Sequence, residues 1–77
     1  MNDIKSTLEY ILKAIVPESE KVTVESQEEQ DTIIFEISAP VEMIGKIIGK
    51  EGKVIKSIRT ILNLTYPEIK FILKIKD

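Results

Sequence analysis

All three glycines of this chain, Gly45, Gly49 and Gly52, fall inside one short stretch, IGKIIGKEG, residues 44–52. Glycine has no Cβ, so it is the residue that lets a backbone turn sharply without a steric penalty. The stretch runs from two isoleucines straight into Gly49-Lys50-Glu51-Gly52, and the lysine-bearing segment KVIKSIR follows. A sharp turn on two glycines, with apolar periodic sequence on either side, predicts two helices joined by a bare loop.

The rest of the chain reads around that loop. Ile4, Leu8, Ile11, Leu12 and Ile15 recur at helical spacing over residues 3–16, with Asn2 or Asp3 as cap and Pro17 as stop. Lys21 to Ser26 alternates with Val22 and Val24 on one side, which predicts a half-buried strand. Gln27 to Asp31 is polar and predicts a turn. Thr32 to Ser38 alternates again through Ile33, Phe35 and Ile37, so the two strands form an antiparallel hairpin. Pro40 suits the first turn of a helix whose face is Val41, Ile44 and Ile48, ended by Gly49 in a left-handed conformation. Lys53 to Leu64 is the next helix, with Val54, Ile55, Ile58, Ile61 and Leu62 as its apolar stripe. Lys53, Lys56 and Arg59 lie on its more polar flank. After Thr65-Tyr66-Pro67, residues Ile69, Phe71, Leu73 and Ile75 alternate with Lys70, Ile72, Lys74 and Lys76 in a last strand. The order α-β-β-α-α-β predicts a two-layer α+β fold, a three-stranded sheet with helices on one face. If the second and third strands are neighbours they run parallel, and the sheet is mixed. Residues 1–77 read as one domain, with no linker, repeat or low-complexity tract.

Several function classes are excluded or made unattractive by what is missing. There is no histidine and no cysteine. The usual general base, the commonest metal ligand and any thiolate site are therefore absent, and no serine has a histidine partner. No catalytic residues, metal or cofactor are expected, and the chain is read as a non-enzyme. The N-terminus lacks a basic start followed by a long apolar run, and no apolar run is long enough to span a membrane. A soluble cytoplasmic protein is the expectation.

The formal charge of -2 conceals an asymmetry. Residues 1–42 carry three lysines against ten acids, a net of -7. Residues 43–77 carry seven lysines and one arginine against three acids, a net of +5. A polyanion responds to the local field, and the basic half begins where the glycines begin. Gly52 stands where a helix starts, so amide groups and the positive end of the helix dipole face the loop, the arrangement by which helix N-termini hold phosphate. Lys50 and Lys53 add cations at the same place. Ile47 and Ile48 before the loop, and Val54 and Ile55 after it, leave some aliphatic surface beside the phosphate site, a floor on which unpaired bases can lie.

With those residues set out, the string IGKIIGKEGKVIKSIRTIL resembles the signature of the KH domain, I-I-G-x-x-G-x-x-I. The element order matches the type II arrangement, and the length and the stretch from Gly45 to Leu62 resemble the KhpA family of small bacterial single-KH-domain RNA-binding proteins. The resemblance implies that Gly49, Lys50, Glu51 and Gly52 grip the backbone of single-stranded RNA, the role assigned to the GXXG loop of KH modules. Ile48 and Ile55 match the apolar positions beside the base-binding groove. It further implies low sequence preference, homodimers, pairing with a larger KH-containing KhpB-like protein, and a link to RNA regulation and cell shape. Glu51 departs from an ideal phosphate site, because its carboxylate faces the polyanion.

Blander readings stand beside these. Lys46, Lys56 and Arg59 are either RNA contacts or a solvated face. Gly45, in mid-helix, is read first as a close-packing position and second as a point where ligand approaches. Lys70, Lys74 and Lys76 guard a sheet edge against pairing. An alternative function is a protein-interaction module whose fold serves mainly in dimer assembly, with Ile72 as a contact.

Overall fold

The computed structural model describes residues 3–76 and follows the order read from the sequence. Helix α1 spans Ile4–Ile15 and a short 3-10 turn spans Ser19–Lys21. Strands β1 (Thr23–Glu29) and β2 (Thr32–Ser38) come next. Helix α2 spans Val41–Ile48, a 3-10 turn spans Lys50–Gly52, helix α3 spans Lys53–Thr65, and strand β3 spans Lys70–Ile75. The sheet order is β1-β2-β3, with β1 and β2 antiparallel and β2 and β3 parallel. This is the mixed three-stranded sheet of a type II KH fold.

Helix α1 begins at Asp3, whose carboxylate accepts the Ser6 N–H at 2.7 Å. That side-chain cap satisfies one of the donors a helix start leaves unpaired. Hydrogen bonds from the Ser6 backbone and then its side chain hold the Asp3 carboxyl below the usual carboxylate range. Asn2, the other candidate cap, lies outside the described residues. The helix ends at Val16, immediately before Pro17, as the missing proline N–H requires.

Both strands of the hairpin are seven residues long, so β1 is longer than expected and starts later. Residues 27–29, read as turn, pair in register with Ile34, Ile33 and Thr32. Only Val24 of β1 is buried. A strand with both faces in water at one end carries no alternation, and its polar composition resembles a turn. The true turn is Gln30-Asp31, with φ of 49° and 68°. Two consecutive positive φ values match the right-handed twist of the flanking strands.

Val24, Phe35 and Ile37 are buried on one face of the sheet. Leu8 and Leu12 of α1, Met43 and Ile47 of α2, and Ile58 and Leu62 of α3 close over them. Full burial of each such side chain stabilises by about 1.5–3 kcal/mol. Phe71, Leu73 and Ile75 of β3 pack against the same core, and the Phe71 and Phe35 rings meet tilted at 58° with centroids 6.4 Å apart. The opposite face carries exposed Glu25, Gln27, Lys70, Ile72 and Lys74. Helices therefore cover one face only, and β3 is an edge.

The buried face of α2 differs from the expected one. Met43 and Ile47 point inward, Ile44 and Ile48 are half-buried, and Val41 is 85% exposed. In an eight-residue helix with apolar residues nearly all round, two faces are available to the same sequence, and the periodicity does not choose between them. Pro40 sits one position earlier than expected, as the N-cap residue. In α3, Ile58 and Leu62 are buried and Val54 and Ile55 half-buried, but Ile61 remains 46% exposed. The far end of α3 is tied to α1 by a 2.6 Å hydrogen bond between the Tyr66 and Thr7 hydroxyls.

Candidate nucleic-acid interface

The loop between α2 and α3 is fixed by three unusual backbone states within four residues. Gly49 takes φ 78°, ψ 172°. That is an extended positive-φ region essentially restricted to glycine, and not the left-handed helical conformation expected there. Glu51 (φ 57°, ψ 25°) and Gly52 (φ 75°, ψ 16°) are both left-handed. The Gly49 N–H donates to Gly45 O at 2.8 Å and closes α2. The Gly52 N–H then donates to Gly49 O at 3.1 Å. The Lys53 N–H donates to Lys50 O. Two of the amides at the start of α3 are thus already paired inside the turn, so fewer face a ligand than an uncapped helix end would offer.

The two loop glycines are glycine for different reasons. A Cβ on Gly49 would stand 2.8 Å from both the Cβ and the backbone N of Val54, so the loop and α3 touch through the space that side chain would fill. A Cβ on Gly52 would meet only Lys56 Cε, at 3.9 Å, so there the backbone conformation alone demands glycine. The same contact brings the Lys56 side chain back over the loop. Val54 was expected in the apolar stripe of α3 or in the aliphatic floor beside the loop. It is half-buried and also sets the path of the loop, a role no spacing rule reveals.

Around the loop the structure places Ile48 and Ile55, each half-buried at the helix ends that flank it, and exposed Lys50, Glu51 and Lys53. Lys46, also exposed, stands three residues before Gly49 on α2. Arg59 is exposed nearly two turns along α3, and no contact draws it to the loop. Among the described residues the one ion pair is Lys21–Glu18, at 3.4 Å on the surface. Among the described residues no carboxylate therefore pairs with Lys46, Lys50, Lys53, Lys56 or Arg59.

Gly45 leaves open space where a side chain would stand. It is exposed, and a Cβ there would meet no heavy atom within 4 Å. The close-packing expectation is overturned, although a mid-helix glycine costs about 1 kcal/mol relative to alanine. Val41 and Ile44, expected in the core, instead extend the exposed aliphatic surface up α2 from Ile48. The Ser57 and Thr60 hydroxyls of α3 donate back to the carbonyls of Lys53 and Lys56 at 2.8 and 3.0 Å. Their protons are therefore spent inside the helix. Among the described residues no helix is long and apolar enough to cross a membrane, and no cluster of three or more carboxylates could hold a metal ion.

The chain's sequence is similar to known proteins along most of its length. The family model for the KhpA/KhpB KH domain matches residues 5–74. The RNA-binding protein KhpA of Chlamydia pneumoniae is 48% identical over 59 residues, which cover 77% of this chain and 76% of that protein. The RNA-binding protein KhpA of Thermotoga maritima is 38% identical over 60 residues, 78% of this chain and 80% of the relative. That of Aquifex aeolicus is 34% identical over 62 residues, 80% and 78% respectively. A glycine-bounded loop between two helices, on a mixed β1-β2-β3 sheet, thus coincides with a family match over nearly the whole sequence, and the chain belongs to the KhpA/KhpB family of KH domains.

Proposed function

We propose that this chain binds single-stranded RNA across Gly49–Gly52, as a single KH domain over residues 1–77 acting in the cytoplasm. Phosphates lie against the bare backbone of the loop, with Lys50, Lys53 and Lys56 as cations, and bases lie on the aliphatic surface of Ile48 and Ile55. Lys46 and Arg59 extend the positive field. The observation that carries this reading is the Gly49 backbone, held in a glycine-only conformation beside a set of unpaired lysines. The relatives named as RNA-binding proteins support it. Bases resting on aliphatic side chains, with few free donors to read their edges, give low sequence preference, which suits RNA regulation or an RNA-chaperone role. The test is the K50D/E51D double variant. It keeps the fold, because Asp tolerates the left-handed conformation at position 51, and it removes one cation while adding a carboxylate. Affinity for a short oligouridylate should fall at least about tenfold. Undiminished affinity removes the loop from the mechanism.

A second reading rests on Ile72, which is 46% exposed on the open face of the sheet. In it the fold serves as an assembly module, pairing with a second copy or with a larger KhpB-like KH protein in a pathway that controls cell shape. Sedimentation with and without oligonucleotide separates the two. A stable dimer indifferent to RNA supports assembly as the main role.

A further inference from the structure

The sheet has two edges, and they are guarded differently. The β3 edge carries Lys70 and Lys74, and lysine on an edge discourages pairing with another strand. The β1 edge has no lysine, proline or glycine over Thr23–Glu29. Its residues pair with β2 one for one, so no bulge twists the edge away. Residues Glu25 to Glu29 are all exposed. Among the described residues no main-chain hydrogen bond reaches β1 from outside the sheet. At every second residue of β1 the N–H and C=O groups therefore face solvent. The carboxylates around this edge lack a counterion. Glu25 and Glu36 are direct cross-strand neighbours, an arrangement that costs stability. Glu36 is in register with Lys74, yet among the described residues the one ion pair is Lys21–Glu18. Glu25, Glu29 and Glu36 line a cleft over the strand together with Ile34, Lys5 and Lys74. Glu28 stands on the other face of β1 and adds a further negative charge.

We propose that the β1 edge is a docking site for an extended basic segment of another protein, which adds a fourth strand to the sheet. Main-chain pairing supplies affinity, and Glu25, Glu28 and Glu29 select lysine or arginine. In an antiparallel addition, the residues opposite Glu29, Glu28 and Glu25 are the first, second and fifth of the segment. A cation opposite Glu25 also offsets the repulsion between Glu25 and Glu36. The same carboxylates refuse a second β1 strand and a polyanion. The site is separate from the glycine loop and does not depend on RNA binding there.

The experiment measures the binding of two labelled peptides to the full chain by fluorescence anisotropy at low salt. One is Thr-Lys-Lys-Val-Thr-Lys-Val. The other, Thr-Lys-Lys-Pro-Pro-Lys-Val, has the same charge. Two adjacent prolines ensure that one falls where an N–H would pair with β1. The first peptide should bind at least about tenfold tighter than the second, and should slow amide exchange in Glu25 to Glu29. The triple variant Glu25→Gln, Glu28→Gln and Glu29→Gln should keep or raise Tm, because like charges are removed from exposed positions. It should bind the first peptide at least about tenfold more weakly. K50D/E51D should bind that peptide as the unaltered chain does. Equal affinity for the two peptides shows charge attraction without strand addition and overturns the proposal. So does undiminished binding in the triple variant, or no binding of the first peptide. Self-association of the chain in sedimentation that the triple variant abolishes makes a second copy the occupant and also overturns it.

Discussion

Position by position, the loop separates two kinds of glycine requirement. Gly49→Ala meets a backbone region closed to L-residues and a collision with Val54, and Val54 cannot retreat without moving the start of α3. The expected cost is about 3 kcal/mol or more by chemical denaturation. Gly52→Ala meets open space and only the left-handed penalty, so its cost should be about 1 kcal/mol. Equal costs would mean that the Val54 contact is not what fixes the loop. Glu51 is the non-glycine member of the left-handed pair. Glu51→Asn keeps a side chain suited to that conformation and removes the carboxylate. It should tighten RNA binding by roughly threefold at low salt while leaving stability unchanged or slightly raised. At the other end of the chain, the Asp3 carboxyl is depressed by its Ser6 hydrogen bonds. A depressed acid contributes stability above its unfolded value, near ~3.9, and that contribution disappears as pH falls through the lower folded value. In Asp3→Asn, stability should lose this component of its acid dependence, which denaturation at several pH values below about 5 would show.

Elements were legible where packing and periodicity agree. The first helix, β2, α3 and β3 follow their apolar patterns because each has one buried face, and the glycine loop was legible from the clustering of all three glycines between two helical patterns. What escaped the sequence was the exposed end of β1 and the facing of α2. Residues 27–29 are strand by main-chain pairing with β2, which leaves no trace in side-chain polarity when both faces are wet. The facing of α2 is settled by which side chains the sheet and α3 admit, and Met43 and Ile47 win that competition over Val41. The same difficulty hid the aliphatic extent of the candidate site, since Val41 and Ile44 looked like core. The Tyr66–Thr7 bond was equally invisible, since it joins residues 59 apart. The Thr7 hydroxyl also lies 3.1 Å from Asp3 O, which can only accept, so a Thr7 proton directed there leaves Tyr66 to donate to the Thr7 oxygen. Tyr66→Phe removes a donor and leaves Thr7 bonded, at a cost of about 1 kcal/mol in denaturant unfolding. No change would mean that the hydroxyl is equally well served by water.

For the whole molecule, the question is how a chain of net charge -2 holds a polyanion. The architecture puts the acidic hairpin and the glycine loop on different elements. Strand β1, with Glu25, Glu28 and Glu29, packs on β2 and α1, whereas the glycine loop packs on α2 and α3, where the lysines are. Interactions beyond the Debye length, about 10 Å at moderate salt, are largely screened. Affinity should therefore report the phosphates neutralised at the loop and not the total charge. With about three neutralised, log K against log salt should have a slope near -2 for a single strand. Lys50→Ala should reduce that slope in magnitude by about 0.7. Converting Glu25, Glu28 and Glu29 to Gln shifts the net charge from negative to positive, yet should leave the slope unchanged and raise affinity less than about threefold at moderate salt. If the triple variant instead steepens the slope, RNA contacts the sheet as well as the loop, and the acidic hairpin is part of the binding surface rather than remote from it.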